Sequence, residues 1–396
     1  MDDASASGGE TEILVASLRA ELAADPTDAE TAARLGDAYY QRSRETADSA
    51  FYVPAEEAYE QALANDPRSV AAITGQATLA LVRHDFATGL ALAERAREIE
   101  PDLLAPYPPL IDGRIELGRY EQAAAAIGEL LKLKPGLAAY TRLSYFEELH
   151  GNESAALRAM RLAAGAGLPG TEAGAFPVSL LGDLYFRDGR YGDAADAYER
   201  ALAGLPDYRS AEVGLLDVTA ARGRVREAIE GYRGLVEQEE LTEYADELGR
   251  LEQAAGLDAD ADRHYAILSK LHQQELAAGQ TADAGQVIFE ADHGDAEFGL
   301  ELGERVWEAS PSVSSADAYS WVLLAAGKTE EAAKLSRKAM RLGTEIPQFR
   351  YHAGMIAAAN GEDARARRLL GGLLSETPRF DPLFAPRAER KLAELG

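Results

Sequence analysis

Four stretches of the sequence hold residue types that do chemistry elsewhere, and each fails on spacing or context. Gly165-Ala166-Gly167-Leu168-Pro169-Gly170 spells the G-x-G-x-x-G of dinucleotide loops. That loop works between a strand and a helix, where its amides meet a pyrophosphate, whereas here it follows a helical pattern. Gly327-Lys328-Thr329 ends like a phosphate-binding loop, but the glycine that should open it is Val322. Asp258, Asp260 and Asp262 are spaced like the first ligands of a calcium loop. Arg263 stands where glycine must turn that loop, and Ser269 where a bidentate Glu must close it. The three acids fit a helix N-terminus instead, where carboxylates meet the positive end of the dipole. Asp292-His293-Gly294-Asp295 holds metal-ligand types but falls where a turn between helices is expected. The histidines (His84, His150, His264, His272, His293, His352) form neither an H-x3-H pair nor H-E-x-x-H, and no serine sits in G-x-S-x-G. Catalytic residues, metal ligands and cofactors are therefore expected to be none, and the chain is expected not to be an enzyme.

The elements that would position any site come from composition and period. The 396 residues carry 40 Lys+Arg against 67 Asp+Glu, a formal charge of −27. A body this acidic repels a phosphate backbone and an anionic membrane surface, so nucleic-acid and membrane partners are not expected. With 46% hydrophobic residues the chain has enough apolar surface to fold. No stretch approaches the ~20 apolar residues of a membrane span. The start, Met1-Asp2-Asp3, is acidic where a secretory leader is basic. With no cysteine, the sequence does not assign a compartment, cytoplasmic or exported.

The prolines set a beat. Pro67, Pro101 and Pro135 are 34 residues apart, as are Ala62, Ala96, Leu130 and Ala164. Tyr198 and Tyr232 repeat the 34, and Tyr265 follows at 33. One unit shows the anatomy: Leu181-Gly182, Tyr185, a Gly189-Arg190-Tyr191 turn, Ala194, Tyr198, Ala201 and Pro206. Leu180, Leu181, Leu184 and Tyr185 line one face of a first helix, and Ala194, Ala197, Tyr198, Ala201 and Leu202 one face of a second. Small residues let the two helices close, glycine ends the first and proline stops the second. This pattern resembles the tetratricopeptide repeat, and it recurs at Leu35-Gly36, Tyr39, Ala55, Tyr59, Ala62 and Pro67, and at Leu248-Gly249, Ala261 and Tyr265. The resemblance implies an all-α, right-handed superhelical solenoid of about ten helix-turn-helix repeats with a short C-terminal capping helix.

The expected organisation is a disordered segment over 1–10, a first repeat block over 11–164, a Gly-rich connection over 165–174, a second block over 175–380 and a cap over 381–396. Ser43 to Val53 holds an insertion, and Pro106, Pro108 and Pro109 make the third first-helix start irregular, near Pro108 or Pro109.

In the family, first helices line a concave groove and offer it set inward positions. Carried onto this chain, those positions include Thr78, Asp112, Glu116, Arg142, Phe146, His150, Phe176, Asp183, Arg187, Asp217, Arg250, Asp317, Trp321 and Tyr351. Aromatics beside arginine are what interface hot spots are built from. The family's grip on chaperone carboxylate tails needs Lys and Asn where Ala33 and Asp37 stand, so that role is not expected. The expected function is a scaffold that holds another protein or peptide, basic by charge complementarity. A self-associating module is the alternative, with an enzyme sited in the groove as the least favoured one.

Overall fold

The computed structural model describes residues 6–46, 48–238, 242–277 and 280–396, with side chains from Gly9 onward. Among these residues there are twenty-two α-helices and no strand. Ala6–Ala24 leads, twenty helices from Ala29 to Glu376 follow in sequence as ten helix-turn-helix units, and Phe384–Glu394 ends the chain. The architecture is an all-α helical repeat solenoid. The chain divides into two compact units. One comprises the chain up to Ser144 with Ala159–Val178 and Arg200–Arg209; the other comprises Tyr145–Arg158, Ser179–Glu199 and Ser210–Gly396.

Both units are held by the same wedge. In the first, the ring of Tyr59, 1% exposed, lies between Gly36 on Ala29–Thr46 and Gly75 on Val70–Val82. A Cβ on either glycine would overlap the ring. In the second, Tyr198 lies in the same way between Gly182 and Gly214. The second helix of one repeat thus plugs a slot that two first helices leave open, which is close packing achieved by shape. Each ring points its hydroxyl inward to an acid: Tyr59 donates to Asp37 at 2.8 Å and Tyr198 to Asp183 at 2.7 Å. Gly189 and Gly327 take φ of +68° and +75° at turns inside repeats, conformations an L side chain resists.

Several local expectations meet the structure. Ala6–Ala24 starts inside the 1–10 lead-in, since Ala6 and the residues after it extend the helix; residues 1–5 lie outside the described residues. The connection expected over 165–174 shortens to 167–171, between Glu153–Ala166 and a helix that begins at Glu172. Thr171 bonds back to the Leu168 carbonyl at 2.7 Å and tightens that turn. The insertion lengthens a helix: Ala29–Thr46 has 18 residues against 13 in Val70–Val82, with a 3-10 turn at Ser49–Phe51 after it. Tyr107–Glu116 starts with prolines in its first turn, where a missing N–H costs nothing. Gly327-Lys328 and His293-Gly294-Asp295 are turns between helices, with Thr329 opening Thr329–Ala339 and Asp292 ending Ala284–Asp292, and Asp258 opens Asp258–Ala277.

The second unit closes on itself. The turn at Gly151 meets the Gly343 carbonyl, and the turn at Gly189 meets the Glu376 carbonyl at Thr377. Arg379 Nη1 donates to the Ala221 carbonyl at 3.1 Å, capping Arg209–Ala221. Gly151 has φ +70°, and a Cβ there would strike the Gly343 oxygen. Gly151→Ala is therefore expected to lower thermal stability by roughly 1–3 kcal/mol through strain and overpacking. Hydrogen exchange should quicken around 343–347 while the Tyr59 region of the first unit is unaffected.

Candidate functional site

In the first unit the inward residues form a half-buried polar face. Asp112 and Glu116 lie on Tyr107–Glu116. Arg142 reaches Asp112 Oδ2 at 2.6 Å and holds its own position by donating to the Pro108 carbonyl at 3.2 Å and the Ala138 carbonyl at 3.1 Å. Thr78 donates its hydroxyl to the Thr74 carbonyl one turn back within its own helix. Phe176 receives the guanidinium of Arg44 over its ring at 5.3 Å, and Arg44 Nη2 also bonds Glu172 Oε1 at 2.7 Å. Arg44 escaped sequence reasoning because its partner is 128 residues away.

In the second unit the inward residues divide into two sets. Asp183 is held by Tyr198 and Asp217 by Tyr232, whose hydroxyl donates at 2.6 Å. Arg187 pairs with Glu148 at 2.7 Å, and His150 stacks on Phe146 at 4.1 Å. Further along, the same helix positions lead into the core. Asp317 is 2% exposed and bonds His352 Nδ1 at 2.8 Å. Trp321 stacks on His352 at 4.2 Å and donates to Asp292 at 2.9 Å. Tyr351, 2% exposed, stacks on Phe384 of the terminal helix at 5.2 Å. Tyr351 is covered by Phe380 and by Phe384 of the terminal helix, whereas Asp317 and Trp321 are buried against His352 of the next first helix.

Between the two sets lies a cavity of about 180 Å³. Its walls are Phe186, Asp217, Ala220 and Ala221, then Glu247, Arg250 and Leu251, then Arg379, Phe380, Asp381 and Pro382. Arg250 stands at its centre, with Asp381 at 2.7 Å, Asp246 at 3.2 Å and Glu247 at 3.7 Å. Asp381 Oδ1 also accepts from the amides of Leu383 and Phe384, so one carboxylate caps the terminal helix and ties it to Arg250. Burial raises Asp217 to about 6, against the pull of Tyr232 and Arg250. Burial also pushes Glu247 well above the ordinary carboxylate range, and its Oε2 is shut from solvent without a hydrogen-bond partner. His293, stacked on Tyr265 at 3.8 Å, is driven down to about 3 by burial and by Arg250. Glu247, Arg379, Phe380 and Asp381 were missed in the sequence. Glu247 sits just before the Leu248-Gly249 signature, one place off the inward register, and the others join the site only through closure.

The tetratricopeptide repeat family profile matches residues 179–246, and the ten helix pairs carry the same helix-turn-helix pattern along the chain. No curated protein matches the chain. Among solved structures, the human IFIT1 dimer with m7Gppp-AAAA is similar at 17% identity over 80% of this chain and 72% of that one, with a TM-score of 0.52. A thermophilic TPR protein of Thermus thermophilus matches at 20% identity over 48% of this chain and 99% of its own, TM-score 0.43. A tetratricopeptide repeat protein from Parabacteroides merdae matches at 16% over 65% and 97%, TM-score 0.36. At these identities the likeness is one of fold. Proteins of this fold are in general interaction modules rather than enzymes. No helix among the described residues is long and apolar enough to cross a membrane.

Two expectations follow from the cavity. Arg250→Ala strands Asp246, Glu247 and Asp381 around the vacated position, so the second unit should lose roughly 3–5 kcal/mol, the scale of breaking a buried ion pair. Chemical denaturation would read this as an earlier transition for that unit. Asp217 ionises at about 6 in the fold against 3.8 ordinarily, so the folded state holds the extra proton and stability falls as pH rises through that window. Asp217→Asn removes the fall. Its melting temperature should gain on the wild type between acid and neutral pH, and a constant difference would contradict the assignment.

Proposed function

We propose that this chain is a protein-interaction scaffold that holds a basic segment of a partner protein against acids on the inner faces of its repeats. The observation that carries the reading is the placement of those acids. Asp112 in the first unit, and Asp183 and Asp217 in the second, sit at inward positions of first helices, each half-buried and anchored by Arg142, Tyr198 or Tyr232. An anchored carboxylate has already lost its rotamer freedom, so a cation that meets it sacrifices less entropy on binding. The net charge of −27 draws basic segments in and repels phosphate backbones, so a basic protein is favoured over nucleic acid.

The test is affinity capture from the native organism, with the recovered partner then purified and titrated. Binding should weaken steeply between low and physiological salt. Asp112→Asn together with Glu116→Gln should cost roughly ten-fold in Kd, the scale of one lost charged contact. A recovered partner that is acidic, or one indifferent to both changes and to Asp183→Asn, would refute the proposal.

A further inference from the structure

We propose that the cavity around Arg250 in the second unit is a socket for one cationic side chain, a lysine or an arginine of the bound segment; this rests on the scaffold reading above and names where its specificity lies. Size comes first. A protein cavity of roughly 150 Å³ admits a benzene ring, and about 180 Å³ here suits a hydrocarbon stem ending in an ammonium or guanidinium group.

The walls match that shape in chemistry. Phe186 and Phe380 offer apolar surface for the stem and ring faces for a cation. Beyond them the carboxylates outnumber the positive groups. Arg250 already has Asp246 and Asp381 at 3.2 and 2.7 Å, and lies further from Glu247, at 3.7 Å. Arg379 has turned an Nη1 to the Ala221 carbonyl, so that donor goes to a neutral acceptor.

Glu247 provides the independent sign of a missing partner. Its side chain lines the cavity and is about a third exposed, its nearest cation is Arg250 at 3.7 Å, and its Oε2 accepts no hydrogen bond. Such an atom carries its full desolvation cost until a donor arrives. An entering ammonium supplies the donor and the charge together. The same burial keeps Glu247 partly protonated when the socket is empty, so the cation enters as the carboxyl proton leaves to the buffer.

The probes are acetyl-Gly-Lys-Gly-amide, its arginine counterpart and its norleucine counterpart, titrated calorimetrically into the full chain at pH 6.5 and physiological salt. The lysine or arginine peptide should bind and the norleucine peptide should not. Repeating the titration in two buffers of different ionisation enthalpy should show net proton release. Glu247→Gln should weaken binding at least ten-fold and abolish the release, Asp217→Asn should weaken it less, and the exposed Glu308→Gln should change nothing; melting curves confirm that each variant is folded. Equal binding of norleucine, no binding of any probe, or an effect of Glu308→Gln equal to that of Glu247→Gln would overturn the socket. Capture of a basic partner undiminished in Glu247→Gln would end the socket while leaving the scaffold reading in place.

Discussion

A tyrosine ring pressed between two glycines is the contact on which the rest of the molecule depends. Tyr59 between Gly36 and Gly75, and Tyr198 between Gly182 and Gly214, set how closely one repeat approaches the next. Because a Cβ at any of these glycines would overlap the ring, the spacing is fixed by steric exclusion rather than by soft apolar contact. The same ring aims its hydroxyl at an acid on the inner face: Asp37, Asp183 and, from Tyr232, Asp217. One residue type therefore spaces the stack and fixes the position of a carboxylate on the first helices.

Much of this was legible in the sequence. The 34-residue beat fixed the helix pairs, and Gly189, Gly327 and Pro206 marked their ends because each has a conformational reason to stop a helix. The faces of the first helices followed from the period. What covers a face did not follow from it. Asp317, Trp321 and Tyr351 occupy inward positions, yet His352 buries the first two and the terminal helix lies over Tyr351, and that helix's tie to the body runs through Arg250 and Asp381, 131 residues apart. Helical periodicity is local, whereas an ion pair over that distance depends on how curvature accumulates along the whole unit. The sequence contains many acids within conceivable reach of Arg250, and only the folded chain selects Asp381.

Closure changes what an inner face can do. The first unit keeps Asp112, Glu116 and Arg142 half-buried. In the second unit the segment from Arg379 to Pro382 lines a partly open cavity together with Asp217, Glu247 and Arg250. Partial burial there strengthens the interactions of each charge and makes an unpaired one costlier. Burial raises the Asp217 carboxyl and lowers the His293 imidazole, each shift favouring the neutral form without abolishing the charge of Asp217 at neutral pH.

The wedge itself is tested most directly by a double-mutant cycle on Gly214 and Tyr198, read by denaturant unfolding of the full chain. Gly214→Ala alone should be destabilising because the added methyl meets the ring. In a Tyr198→Ala background that penalty should vanish, giving a coupling of roughly 1–3 kcal/mol. If the cost of Gly214→Ala is the same with and without the ring, the tyrosine does not set the spacing of the repeats.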